Sequence, residues 1–414
     1  MNNETICITG VTGLLGRNIF FEYLKKYQNN LEDLKLILLG RSYGEIRLKD
    51  RIRDIFLEDG KFYLDVYDDN INKFLKYIDR EIIFIDIDLE KESIGISSEN
   101  IQLLLTHTIT IFYHPGAYTS FSDSDLTKNK VDEVNTYGTM RLLNIVKDFK
   151  INRFCYFSSA FATGVLSKRV SPSDLNVERE FRNPYEYSKL KAELLVRNFE
   201  KVHGIDSYIF RTSILAGRLI EKNIGQIHKY DVFYGWTQFF IKAKKSYLLP
   251  GEDLYDTPVK MDISIMGSPK STLNIIPADY AAKASIEIMS LQKINHSSFH
   301  LVNRYETEFI VPILKFLNID GYTFVDKIPE TLNKLEKLYY KSVGRLFNDY
   351  MKNEGKVYFD YTSLIESLDG KVDCPIVNED NLILLLEYAK KKNFGISIPR
   401  NRTNHIKVEE YEKV

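Results

Sequence analysis

Short, mostly apolar runs separated by stretches with helical spacing set the pattern of the chain. Residues 6–8 begin it, and residues 36–39, 81–87, 109–113, 153–157 and 207–210 repeat it, each run ending in a turn with polar residues or glycine. Runs this short and this largely apolar suit strands covered on both faces, as in a parallel sheet. Between them, residues 18–27, 47–57, 100–105 and 128–147 place apolar side chains at helical intervals. Asn183-Pro184 opens a further helix, with a capping side chain and a proline tolerated in the first turn. Strands alternating with helices predict βαβ units and a parallel sheet, and no internal repeat or low-complexity block competes with that reading.

From Gly217 the alternation breaks down. Residues 230–243 are rich in aromatics, residues 258–273 have the look of a hairpin, residues 273–289 return to strand and helix, and residues 299–303 resemble a last sheet strand. The remainder, 310–414, is expected to be mostly helical. The predicted fold is therefore α/β: a Rossmann-like doubly wound parallel sheet with a smaller, mostly helical C-terminal substrate-binding cap. Residues 1–220, completed by about 273–303, are expected to form the dinucleotide-binding domain, and residues 221–272 and 304–414 the cap.

The first strand runs into Thr9-Gly10-Val11-Thr12-Gly13-Leu14-Leu15-Gly16-Arg17, three glycines between a strand and a helix. A tight turn, close backbone approach to a pyrophosphate and helix-on-strand packing each exclude a Cβ, and a helix N-terminus offers free N–H groups to an anion. The second strand ends in Gly40-Arg41, where an acidic residue would take a ribose 2′-hydroxyl; a guanidinium there suits a 2′-phosphate and favours NADP(H) over NAD(H). Arg17, after the last glycine, is placed to share or replace that role.

Lys and Arg number 56 against 57 for Asp and Glu, a formal net charge of −1, so no charge excess points to nucleic acid or an anionic membrane. Three cysteines, Cys7, Cys155 and Cys374, are far apart, and two lie in apolar runs, which suggests a reducing compartment and no metal site. The first strand begins almost at once, with no secretory-type leader, and no apolar run nears the ~20 residues that span a bilayer. A cytoplasmic protein without a transmembrane segment is expected.

Tyr185 and Lys189 are four apart on the helix that Asn183-Pro184 opens, so they share a face. A tyrosine, with an unperturbed pKa of about 10, works as an acid or base near neutrality only where a neighbouring cation favours its charged form. Lys189 supplies that cation, and Ser159, at the end of the fifth strand, offers a hydroxyl to the same substrate oxygen. Tyr187 and Lys191 have the same spacing, and spacing alone does not choose between the two registers.

The chain resembles the extended branch of the short-chain dehydrogenase/reductases, whose Y-x-x-S-K-x-x-A-E motif matches Tyr185, Ser188, Lys189, Ala192 and Glu193 and selects Tyr185. The likeness covers roughly the first three hundred residues. Thr9 to Gly16 match the family's cofactor loop, Asp88-Leu89 its adenine-side acidic turn, His114-Pro115-Gly116-Ala117 its fourth-strand signal, Asn135 to Thr139 its N-x-x-G-T helix, and Ser158-Ser159 its serine strand. The resemblance implies that the loop residues Thr9, Gly10, Thr12, Gly13, Leu14, Leu15, Gly16 and Arg17, with Arg41, Asp88, Leu89, Pro115, Gly116, Ala117, Ser158, Tyr185 and Lys189, bind the cofactor. It implies that Ser159, Tyr185 and Lys189 are catalytic and that Asn135 holds the active-site helix and a proton-relay water. Pro115-Gly116 stands where Asn-Ala is usual, and Arg211-Thr212 where Arg-Pro is.

Within that branch the chain most resembles thioester reductases and fatty acyl-CoA reductases. The strand end Leu39-Gly40-Arg41, the segment Ile94-Gly95-Ile96-Ser97 and the later Leu273-Asn274-Ile275-Ile276-Pro277-Ala278-Asp279-Tyr280, followed by an F-H-L-x-N strand at 299–303, carry the likeness. It implies NADPH-dependent reduction of an acyl thioester, on coenzyme A or a carrier protein, to an aldehyde and onward to an alcohol if a second hydride follows. The alternatives are a nucleotide-sugar epimerase or dehydratase, a hydroxysteroid-type dehydrogenase, and a non-catalytic NADP(H)-binding protein. Oligomeric state is left open.

Overall fold

The computed structural model describes residues 4–396 other than 68, 123, 167 and 352–356. Seven strands form one sheet: β1 (Glu4–Thr9), β2 (Leu34–Gly40), β3 (Ile83–Asp86), β4 (Thr108–His114), β5 (Lys150–Ser159), β6 (Asp206–Thr212) and β7 (Ser298–Leu301). Every pairing is parallel and the order is β7-β6-β5-β4-β1-β2-β3, so the strand order reverses between β1 and β4. Ligands in open α/β sheets bind beyond the carboxyl ends of the strands at that switch point.

The runs are apolar at successive positions because the sheet is covered on both faces. Ile6, Ile8, Leu36 and Leu38 face one core layer, which α1 (Leu14–Lys26) helps to cover. Cys7, Ile37 and Leu39 face the other, with α2 (Gly138–Val146) and α3 (Pro184–His203). Cys7 and Cys155 are buried free thiols pushed up by burial, which is how small hydrophobes in the core behave.

A third apolar cluster gathers α4 (Phe233–Lys245) and the strand Val259–Met266 with the later helices α6 (Val343–Met351) and α8 (Glu379–Lys391). The hairpin expected at 258–273 does not form. Val259–Met266 pairs in parallel with Ile319–Val325, so its partner comes from the stretch expected to be mostly helical. An alternating strand reads alike in either pairing, and sequence separation conceals a parallel partner. Between these elements, α5 (Ala278–Met289) returns to the first core layer and packs beside α1. Residues 397–414 of the expected cap lie outside the described residues.

Candidate active site

At the end of β1 the chain turns through Gly10 with φ of +59°, and α1 begins at Leu14 with Gly13 as a cap that has no side chain to fill the helix end. The first N–H groups of α1 therefore stay open to an anion. A Cβ on Gly16 would stand 2.3 Å from the Gly10 carbonyl oxygen, and one on Gly10 would stand 2.7 Å from Gly116 Cα. The turn from β1 and the loop leaving β4 are thus packed backbone on backbone, and the cradle fits a pyrophosphate. Gly116, found where the family usually has alanine, suits this contact: its own Cβ would be 3.2 Å from Thr9 Oγ1. Pro115 precedes it and Ala117 is exposed.

His114 ties the same region together. One ring nitrogen lies 2.6 Å from Thr9 Oγ1 and the other 3.3 Å from Thr139 Oγ1. Burial, with the nearby Lys189 charge, lowers its pKa to about 3, so the imidazole is neutral and donates at one nitrogen while accepting at the other. The sequence motif contained His114 without a role for it.

The cations fare differently. Arg17 is nearly buried, donates to the Thr12 carbonyl at 2.9 Å and lies 3.7 Å from Asp59, which also pairs with buried Arg218. It braces the glycine turn from behind. Arg41 is 63% exposed and shares its guanidinium between Glu90 at 3.6 Å and Asp88 at 4.0 Å. The nearest acid on the neighbouring strand, Asp86, accepts from both the backbone N–H and the hydroxyl of Ser42. Leu89 gives its carbonyl to Arg141 and packs close to Gly138 on α2.

The helix expected over 128–147 contains a π-turn at Asp132–Tyr137, and Asn135 is in it. Such turns redirect a side chain and recur at functional sites. Asn135 Oδ1 accepts from the Tyr118 N–H at 2.8 Å, and its Nδ2 donates to the Tyr118 carbonyl at 3.0 Å and to Ser188 Oγ at 3.1 Å. The loop leaving β4 is thereby fastened to α3. Ser188 in turn donates to the Tyr185 carbonyl at 2.8 Å.

Helix α3 starts where predicted, with the Asn183 side chain accepting from the Glu186 N–H and Pro184 in the first turn. Lys189 is buried, donates to the Phe157 carbonyl at 2.6 Å and lies 4.4 Å from the Tyr156 ring centroid. Burial lowers its pKa to about 7, although Glu193 pulls the other way. Since β5 runs upward to Ser159 and α3 runs back down, Tyr185, one turn before Lys189, stands at the Ser159 end. Ser159 Oγ accepts from the Phe161 N–H at 3.2 Å, which leaves its own proton to donate. Ser158 is buried, and its hydroxyl has no partner among the described residues. Tyr185 is partly buried, and burial, with the Asp231 and Glu186 carboxylates adding to it, pushes its phenol up.

The second register points elsewhere. Tyr187 is exposed, and Lys191 forms an ion pair with Asp132 and lies 4.9 Å from the Tyr187 ring centroid. Glu193, the last residue of the motif, serves the fold, since it is wholly buried, pairs with Arg211 at 2.7 Å and ties α3 to β6. Asp279, from the later motif, accepts from the N–H groups of Ile220 and Glu221 at 2.7 Å each. Reasoning from sequence missed three aromatic residues beside Tyr185 and Ser159: Phe121, Phe161 and Tyr350. Nothing in their local pattern marks them.

The model of the male sterility protein family, an NAD-binding family, matches residues 8–285. The chain belongs to that family. The kinship with fatty acyl-CoA reductases and thioester reductases expected from its motifs is borne out. The carboxylic acid reductase of Mycobacterium marinum is 22% identical over 73% of this chain and 24% of its own length. Fatty acyl-CoA reductase 2 of Bos taurus is 23% identical over 69% of this chain and 54% of its own. The chain thus spans only part of these curated relatives. Among solved structures, the terminal R domain of the myxalamid biosynthetic pathway superposes with a TM-score of 0.70 at 18% identity, covering 95% of this chain and 92% of that one. A thiolation-reductase di-domain from an archaeal non-ribosomal peptide synthetase gives 0.64 at 16% identity, covering 95% and 76%. The UDP-glucuronic acid 4-epimerase of Bacillus cereus gives 0.58 at 16%, covering 95% and 99%. These likenesses show the fold, a Rossmann-like α/β architecture. Among the described residues no helix is long and apolar enough to cross a membrane, and no cluster of three or more His, Cys, Asp or Glu residues is arranged to hold a metal.

Proposed function

We propose that the protein is an NADPH-dependent reductase of an acyl thioester, carried on coenzyme A or on a carrier protein, that forms an aldehyde. The observation that supports this reading is the buried Lys189 of α3 bonded to the Phe157 carbonyl of β5, two residues before Ser159 at the end of that strand, with Tyr185 one turn before Lys189. The names of the relatives supply the substrate class: fatty acyl-CoA reductase, and a reductase domain next to a thiolation domain.

A bound reduced nicotinamide supplies the hydride. Tyr185 and Ser159 donate hydrogen bonds to the thioester carbonyl oxygen and stabilise the negative charge that grows on it as the hydride adds to the carbon. Tyr185 passes its proton to that oxygen. Breaking the C–S bond of the resulting hemithioacetal releases a thiol and the aldehyde, so one thioester, one hydride and one proton are consumed. Lys189 would hold the nicotinamide ribose of a bound cofactor, while Asn135 fixes the loop after β4 against α3. Arg41 takes the 2′-phosphate. Residues 1–220, completed by 273–303, make the cofactor half, and the later segments cover the substrate side.

The test is NADPH oxidation with acyl-CoA and acyl-carrier thioesters, with the aldehyde identified directly. Turnover of sugar nucleotides or hydroxysteroids in place of thioesters would overturn the reading. In the same assay Arg41→Ala is expected to raise the KM for NADPH about tenfold or more and leave that for NADH nearly unchanged, as loss of a charge-assisted phosphate contact requires; equal effects on both would refute the phosphate role.

A further inference from the structure

We propose that Tyr350, on α6 and more than 160 residues along the chain from Tyr185, selects the acyl group: with Phe121 and Phe161 it forms an aromatic wall along which an apolar acyl chain lies. This inference rests on the thioester reading above.

The Tyr350 hydroxyl is fully engaged and is no proton donor to substrate. It donates to Glu186 Oε1 at 2.6 Å and accepts from Asn183 Nδ2 at 2.7 Å, so both partners flank Pro184-Tyr185 at the start of α3. The Arg182 guanidinium lies 5.2 Å from the centroid of its ring. Glu186 is wholly buried and also accepts from the Arg182 backbone N–H at 3.1 Å. A tyrosine from a distant part of the chain is thus locked in one orientation against the first turn of the helix that carries Tyr185.

The ring so fixed joins the two hydroxyls that polarise the carbonyl. On one side it meets Phe121, with centroids 6.1 Å apart, and Phe121 meets the Tyr185 ring edge-on at 5.6 Å. On the other side it meets Phe161 at 5.3 Å and 90°, and the Phe161 N–H is the group that Ser159 Oγ holds. Phe359 continues the wall beyond Phe161 at 5.7 Å. With the carbonyl oxygen between Tyr185 and Ser159, one of the two substituents on the carbonyl carbon lies against these rings in this proposal. The thiol arm carries amides that need hydrogen-bonding partners, and the wall offers none, since its one hydroxyl is taken. The hydrocarbon substituent is the one that gains by burial there. Tyr350 is the largest side chain in the run that can be shortened without touching Tyr185 or Ser159, and it sets how much acyl group fits.

The experiment compares the wild type, Tyr350→Phe and Tyr350→Ala with NADPH and a series of acyl-CoA thioesters from butyryl to palmitoyl. The ratio of kcat/KM for long over short chains is expected to rise about tenfold or more in Tyr350→Ala, the range that a few methylene groups command in an apolar pocket, and to stay within about threefold of wild type in Tyr350→Phe, which keeps the ring. If Tyr350→Ala does not fold, Tyr350→Leu is read in the same way. A long-to-short ratio unchanged in the truncated variant overturns the assignment. If the wild type turns over no thioester at all, the functional reading fails, and the inference fails with it. A fall in kcat/KM that Tyr350→Phe shares and that is equal for long and short chains would mean that the hydrogen bonds to Glu186 and Asn183 matter and the ring does not, which also overturns it.

Discussion

Two tyrosines and two lysines on α3 offer the same spacing, and their surroundings separate them. Lys189 is buried against Phe157 and Tyr156, whereas Lys191 is tied to Asp132 at the surface. Tyr185→Phe is therefore expected to lower thioester turnover by about 100-fold or more, the scale of a lost general acid, and Tyr187→Phe to leave it within about threefold. The reverse pattern would return the chemistry to the outer register. Lys189 also makes a pH prediction with a definite sign. Its pKa in the fold is about 7, below the ~10.4 of an unfolded lysine, so between those values the unfolded chain binds more protons and stability contributed by this group rises with pH. Below pH 7 the full cost of a buried ammonium is present. Without cofactor, Lys189→Met is expected to melt higher relative to wild type at pH 6 than at pH 9. Parallel melting curves across that range would show that the lysine is not desolvated as described.

At the scale of elements, α3 is held by three different kinds of contact: Lys189 to the β5 carbonyl, Asn135 through Ser188, and the buried pair of Glu193 with Arg211. The last is the costliest to break, because each partner is wholly buried. Glu193→Ala leaves the Arg211 guanidinium with only the Asp174 and Ser171 carbonyls and is expected to cost about 3–5 kcal/mol in urea unfolding. A loss under about 1 kcal/mol would mean that those carbonyls suffice. Much of this architecture was legible in the sequence, because strands buried on both faces read as short apolar runs and because the turn after β1 admits only glycine at Gly16 without moving the Gly10 carbonyl. The π-turn at Asp132–Tyr137 was not legible, since one extra residue in a turn leaves helical spacing nearly intact on either side. Nor was the parallel partner of Val259–Met266, which lies beyond two intervening helices. The place of Tyr350 beside α3 was hidden for the same reason: its contacts with Glu186 and Asn183 span more than 160 residues.

Across the whole molecule the last described segment binds two cores together. Helix α7 (Thr362–Leu368), packed on β7 and α5, places Leu364 and Leu368 in the first core layer, while α8, only a short loop later, places Leu382, Leu385 and Leu386 in the cluster that holds α4. Between them Asn303 bonds the Pro375 carbonyl and Thr307 the Val377 carbonyl. A chain that threads both cores within so few residues cannot lose one without freeing a helix of the other. Trp236, the single tryptophan, is wholly buried in the α4 cluster and so reports that cluster alone, whereas far-UV circular dichroism weighs the whole chain. The two signals are expected to trace one coincident urea transition, the mark of a cooperative unit, even though chains of this size often unfold in stages. With the glycine turn proposed as the NADPH site, far along the chain from Trp236, added NADPH is expected by linkage to move the tryptophan midpoint and the dichroism midpoint upward together as its concentration is raised above Kd. A tryptophan transition that precedes the dichroism change, or that ignores NADPH, would show the α4 cluster unfolding independently and would refute the coupling assigned to α7 and α8.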